Sequence, residues 1–173
     1  MNEIDLMKMV AEGNAPAIQV LLDSHYEAVY RLLRHLTRRR EDAEDLTQDV
    51  FLAARTKGAS FSGNGSIRSW LTRIAINAYG KHRRRERLRR ICRIEGMKSR
   101  SEVDSMLDSE WLLDGIAKLN PQHRIALLLH EVHGFSVGEV ATITGSPEGT
   151  VKARLHYARK RIQQILICPD GEK

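Results

Sequence analysis

The chain has only two cysteines, Cys92 and Cys168. Two thiols cannot supply the four ligands of a structural zinc site or the disulfide framework of a small secreted fold. Aromatic residues make up 5% of the sequence, so any core has to be built from aliphatic side chains. No apolar run nears the roughly 18 residues of a membrane span. The opening residues, MNEIDLMKMV, lack the positive stretch and apolar segment of a secretory signal. A reduced, cytoplasmic protein with no membrane insertion is expected. Phosphate-cradling glycine loops, dinucleotide fingerprints and nucleophile–base patterns are missing as well. The run His130, Glu131, Val132, His133 spaces its histidines three apart, where a zincin helix requires four, and it sits among Ile125, Leu127, Leu128 and Leu129. No catalytic residue, metal site or cofactor is expected.

What is present is charge, and it is segregated. Acids are outnumbered 22 to 28 by Lys and Arg, giving a net charge of +6 that suits a polyanionic partner. Lys81, Arg83, Arg84, Arg85, Arg87, Arg89, Arg90 and Arg93 crowd one stretch, opposed only by Glu86. Between residues 41 and 49 the sign reverses, with Glu41, Asp42, Glu44, Asp45 and Asp49. The segregation reads either as two surfaces for two partners or as two solvated helix faces.

Apolar periodicity is helical almost throughout, so the fold is all-α, two small helical domains joined by a flexible linker. Helices are predicted over 4–12, from Pro16 to Thr37, over about 42–57, and from Ile67 through the basic run. Residues 58–66 are too rich in Gly and Ser to be regular, and Ser66 is placed to cap the helix that follows. The first domain is assigned to residues 1–88. Residues 89–108, polar, basic first and acidic later, form the linker. The second domain, 109–168, holds helices over 109–118, 121–133, 136–144 and 147–167, with Pro121 and Pro147 in first turns.

Residues 136–162 have the pattern of a helix-turn-helix. Val137, Val140, Ala141 and Ile143 pack a short helix, Gly145 makes the turn, and Ser146 with Pro147 opens the next helix. Val151, Leu155, Ala158, Ile162 and Ile165 form its buried stripe. A helix that enters the major groove needs residues for base edges and flanking cations for phosphates. Thr150, Lys152, Ala153, His156 and Tyr157 fall at base-facing positions. Arg154, Arg159, Lys160 and Arg161 suit the backbone. The competing interpretation is a helical hairpin with a basic solvent face.

The helix from Ile67 buries Ile67, Leu71, Ile74, Ala75 and Ala78, and along one edge carries Trp70, Arg73, Asn77, Lys81 and Arg84 in a line. An indole, an amide and three cations in a row suit an unpaired strand, through stacking, edge hydrogen bonds and phosphate neutralisation. The preceding loop, with Phe61, Gly63, Asn64 and Ser66, could close over a base taken out of the stack. Alternatively Trp70 belongs to the core and Phe61 anchors the loop.

Three segments together, DAEDLTQDVFLAAR (42–55), FSGNGSIRSWLTRIAINAYGKHRRR (61–85) and residues 119–162, resemble the extracytoplasmic-function class of sigma-70-family sigma factors. The likeness covers both modules in family order. It implies sigma regions 2 and 4 and a factor that binds core RNA polymerase and directs promoter-specific initiation. Under it, Asp42, Asp45, Gln48 and Asp49 meet the clamp helices of the beta-prime subunit. Phe61, Gly63, Asn64, Ser66, Trp70, Arg73, Asn77, Lys81 and Arg84 open and hold the −10 element. Thr150, Lys152, Ala153, Arg154, His156, Tyr157, Arg159 and Lys160 read the −35 element, in a module that also meets the polymerase beta flap. An anti-sigma protein is the expected inhibitor. Relatives often carry arginine or serine where this chain has Ala153, His156 and Tyr157, so the −35 sequence does not carry over. Its basic residues 87–93, where an acidic tether is the family expectation, read as an extension of the DNA-binding helix or as a contact to upstream phosphates. A plain dimeric helix-turn-helix regulator and a sigma mimic that sequesters an inhibitor are the alternatives.

Overall fold

The computed structural model describes residues 2–92 and 115–167, among which every regular element is helical. The chain divides into two compact units between residues 102 and 103. Most of the linker, the start of the helix predicted over 109–118, Arg93 and Cys168 lie outside the described residues.

The first unit is built from α1 (Glu3–Ala11), α2 (Ala15–Thr37), α3 (Arg40–Lys57) and α4 (Ile67–Cys92). Asn2 and Asn14 start α1 and α2 by accepting the amides of Asp5 and Ala17, satisfying donors that a helix start leaves open. Leu21, Leu32, Leu33 and Leu36 of α2 meet Ala43, Leu46, Val50 and Ala54 of α3, with Ile67, Leu71, Ala75 and Tyr79 of α4 completing the core. Each fully buried Leu or Ile contributes about 1.5–3 kcal/mol. Ile18, Leu22, Ala53, Ile74 and Ala78, expected inside, are half-buried at the margins of these stripes. Thr47 tolerates full burial because its hydroxyl donates to the Ala43 carbonyl at 2.6 Å. α3 starts two residues before the predicted position, and α4 continues to Cys92, so the 88/89 division falls inside a helix.

In the second unit a helical turn at 115–117 leads to α5 (Pro121–Leu127), α6 (Val137–Thr144) and α7 (Glu148–Ile167). The predicted helix over 121–133 is not uniform: residues Leu128–Val132 form a π-helical turn. The wider turn places the His133 amide on the Leu128 carbonyl and the Phe135 amide on that of Leu129, both at 3.0 Å, and brings Phe135 into the core. Ser136 and Glu139 cap α6 reciprocally, the Ser136 amide donating to Glu139 Oε2 at 2.8 Å and the Glu139 amide to Ser136 Oγ at 3.2 Å. Gly145 ends α6 with φ of 62°, a left-handed conformation in which a side chain would be strained. Val140, Ile143, Val151, Leu155 and Ala158 are buried between α6 and α7. Ala141 and Val137 are half-buried.

Candidate nucleic-acid interface

Three surfaces follow from how these helices are held. On α3, one side packs inward through Ala43, Leu46, Val50 and Ala54, which leaves Asp45, Gln48 and Asp49 exposed together. Leu52 stands among them at 61% exposure, a large apolar group that helix stability does not require there. Sequence reasoning passed over it; its position seven residues after Asp45, on the same outward face, was the available signal. Asp42 departs from the group. It is half-buried and points toward α4, with His82 Nε2 3.6 Å and Arg39 Nε 3.7 Å from its Oδ2.

The second surface is the loop 61–66 and the α4 edge after it. Phe61 is only 6% exposed, its ring set edge-on to the half-buried Trp70 indole at 5.7 Å between centroids. In this conformation Phe61 anchors the loop, and the loop presents Ser62, Gly63, Asn64 and Gly65 to solvent. Gly63 and Gly65 take φ of 75° and 105°, and the Gly65 amide donates to the Gly63 carbonyl at 2.9 Å. Ser66 caps α4 as expected, accepting the Ser69 amide at 3.2 Å. Beyond Trp70, the residues Arg73, Asn77, Lys81 and Arg84 are all exposed, and Arg87 and Arg89 continue the basic helix. Nearby, partly buried His25 on α2 titrates below the usual histidine range, burial being the main cause, while Glu3 opposes the shift and Arg68 adds to it.

The third surface is α7. Thr150, Lys152, Ala153, His156, Tyr157 and Lys160 are exposed, on the side away from Val151, Leu155 and Ala158. Tyr157 lies nearly parallel to His123 of α5 at 5.9 Å and meets His156 edge-on at 5.7 Å, which fixes its ring on the open face. Two of the expected backbone cations are already engaged. Arg154 Nη1 donates to Ser146 Oγ at 2.9 Å, and Arg159 donates to Glu131 Oε1 from Nε and Nη2 at 2.9 and 2.6 Å. Lys152 Nζ stands 4.0 Å from Glu148. His130, from the run that resembled a metal motif, has Nδ1 2.7 Å from the Phe135 carbonyl oxygen and closes the turn before α6.

An acidic helix face, a loop-and-line element and a helix-turn-helix are thus present in one chain. A family profile described as Sigma-70 region 2 matches residues 21–89, and one described as Sigma-70, region 4 matches residues 109–162. The chain is 31% identical over 163 residues to the ECF RNA polymerase sigma factor SigL of Mycobacterium tuberculosis, covering 90% of this chain and 92% of SigL. The chain belongs to the extracytoplasmic-function sigma factors. This sigma factor is also 28% identical over 166 residues to the ECF sigma factor SigM of the same organism, across 95% of its own length and 85% of SigM. The sigma factor RpoE of Bartonella quintana, crystallised with the anti-sigma factor NepR, matches with a TM-score of 0.70 at 28% identity, covering 86% of this chain and 95% of that one. The all-α, two-module expectation therefore holds, with α2–α4 carrying the region 2 match and the helix-turn-helix within region 4. As a sigma factor, the protein is a regulatory factor that directs promoter-specific transcription initiation. Among the described residues, no helix is long and apolar enough to cross a membrane.

Proposed function

We propose that the three surfaces divide the work of initiation. The outward face of α3, with Asp45, Gln48, Asp49 and Leu52, docks on the beta-prime clamp helices, cations there meeting the carboxylates around an apolar contact. Asp42 tunes its edge through His82. The exposed loop apex, with Asn64 and Gly63, takes up a base of the melted −10 strand over the Phe61 anchor, while Trp70, Arg73, Asn77, Lys81 and Arg84 track the strand behind it. Unstacking a base costs a few kcal/mol, which stacking and phosphate contacts in the bound state offset. The α7 face reads the −35 element through Thr150, Lys152, Ala153, His156 and Tyr157, with Arg154, Arg159 and Lys160 toward phosphates, and its module also meets the beta flap.

The observation that carries this reading is the alignment of Trp70, Arg73, Asn77, Lys81 and Arg84 directly behind a loop whose apex is open to solvent. A plain helix-turn-helix regulator has no need of such an element. The factor performs no chemistry itself, acts in the cytoplasm, and is held in check by an anti-sigma protein, as the RpoE–NepR complex of a relative supports. Reconstituted transcription with core RNA polymerase, start sites being mapped on genomic DNA, tests the assignment. Transcripts that start at defined promoters only when the chain is added are expected. Their absence refutes it.

A further inference from the structure

The segment 58–67 does not stand alone; it is laid along α1. At its start, a Cβ on Gly58 would come within 2.6 Å of the Met7 carbonyl oxygen and 3.4 Å of the Ala11 Cβ. At its apex, a Cβ on Gly63 would fall 2.8 Å from Ile4 Cδ1. At its end, the Ile67 amide donates to Glu3 Oε2 at 3.1 Å, across 64 residues of sequence. Glu3, Ile4, Met7 and Ala11 lie along one side of α1, so a single short helix touches the loop at its start, apex and end.

The Glu3 contact has a particular consequence. The first amides of a helix have no partner inside it, and a carboxylate beside them is favoured by the helix dipole. Ser66 takes the Ser69 amide and Glu3 takes that of Ile67, so the start of α4 is capped from two elements. Glu3 thereby fixes where the loop ends and where the line from Trp70 onward begins. The groups on which Glu3 acts are the Ile67 amide of α4 and the His25 ring of α2.

We infer that Glu3 is a positioning residue for single-strand capture: its carboxylate, with Ile4 beneath Gly63, holds the loop 61–66 in register with the α4 edge. This rests on the reading of that loop given above. Loss of a helix cap corresponds to roughly five- to tenfold in an equilibrium. Holoenzyme assembled from full-length chain and core polymerase is compared for Glu3→Ala, Glu3→Gln and wild type on a promoter found by start-site mapping. The readouts are affinity for a single-stranded non-template −10 oligonucleotide, opening reported by 2-aminopurine at the −10 bases, affinity for core polymerase, and thermal stability. Glu3→Ala should weaken oligonucleotide binding and opening about fivefold to tenfold with core affinity unchanged. Glu3→Gln, which keeps an accepting oxygen, should recover most of the loss. Gly63→Ala, strained by its φ and crowded by Ile4, should reproduce the Glu3→Ala defect. Equal opening by Glu3→Ala and wild type overturns the inference, as does a loss of core affinity in the same proportion. A wild-type holoenzyme that opens no promoter overturns the underlying reading, and the inference with it.

Discussion

Arg159 of α7 and Glu131 of the π-helical turn form a two-donor contact, both guanidinium distances to Glu131 Oε1 lying within 2.9 Å. The pair joins α7 to the segment before the helix-turn-helix, and both side chains remain about half exposed. An exposed pair of this kind is worth about 0–1 kcal/mol, little enough for a phosphate to displace.

Arg159→Ala should therefore weaken duplex binding across sequences and flatten the salt dependence by about one unit. Glu131→Ala should act oppositely, freeing the cation and strengthening binding. Duplex affinity measured from low to moderate salt checks both. An unchanged slope in Arg159→Ala leaves the residue as a clasp within its module.

Lys152→Ala and His156→Ala should alter which −35 sequences are bound rather than how tightly DNA is bound overall. A good side-chain contact to a base edge discriminates by about 1–3 kcal/mol. Selection from a randomised −35 library reads this directly. An unaltered preference removes these two residues from base readout.

On the first module, Leu52→Ala and Asp49→Lys should lower affinity for core polymerase with little change in thermal stability, since both side chains face solvent. Asn77→Ala should spare that affinity and slow open-complex formation. Competition for core polymerase, set beside permanganate reactivity of the −10 thymines, separates the two effects. A variant that loses both in proportion contradicts the division of labour.

His35 on α2 titrates below the usual histidine range because it is buried, with Arg31 and Arg34 adding to the effect. The unfolded chain then takes up a proton before the folded one does. Stability is full above about pH 6.5 and is lost progressively as pH falls through the lower folded value. His35→Gln should flatten this acid limb in chemical denaturation series, and His25→Gln should remove a further part, its shift having the same sign. An identical limb in both variants excludes the histidines as its cause.

Much of this was legible in the residues. Stripes such as Leu21, Leu32, Leu33 and Leu36, or Val151, Leu155 and Ala158, recur at helical spacing and were found buried. Gly145 and Ser66 announced a turn and a cap through their own backbone and hydrogen-bonding chemistry. What remained hidden depends on contacts distant in sequence. Phe61 reads as a probe or as an anchor until Trp70 is seen against it. Asp42 looks like its neighbours until α4 brings His82 alongside. The widened turn at Leu128–Val132 has no signature in the apolar pattern, because Leu127, Leu128 and Leu129 form an unbroken apolar run that is buried throughout. The bond from Ile67 to Glu3 has no local signature at all.

The contact between Asp42 and His82 marks a seam in the first module's electric field. On one side lie the carboxylates of α3, on the other the guanidinium groups of α4, so the module is a dipole as well as a net cation. Charge of one sign gathered on one face steers and orients an approaching polyanion before contact. A module so built presents opposite signs on opposite faces, so under the proposed division of work the polarity that turns its basic edge toward DNA also turns its acidic face toward the cations of polymerase.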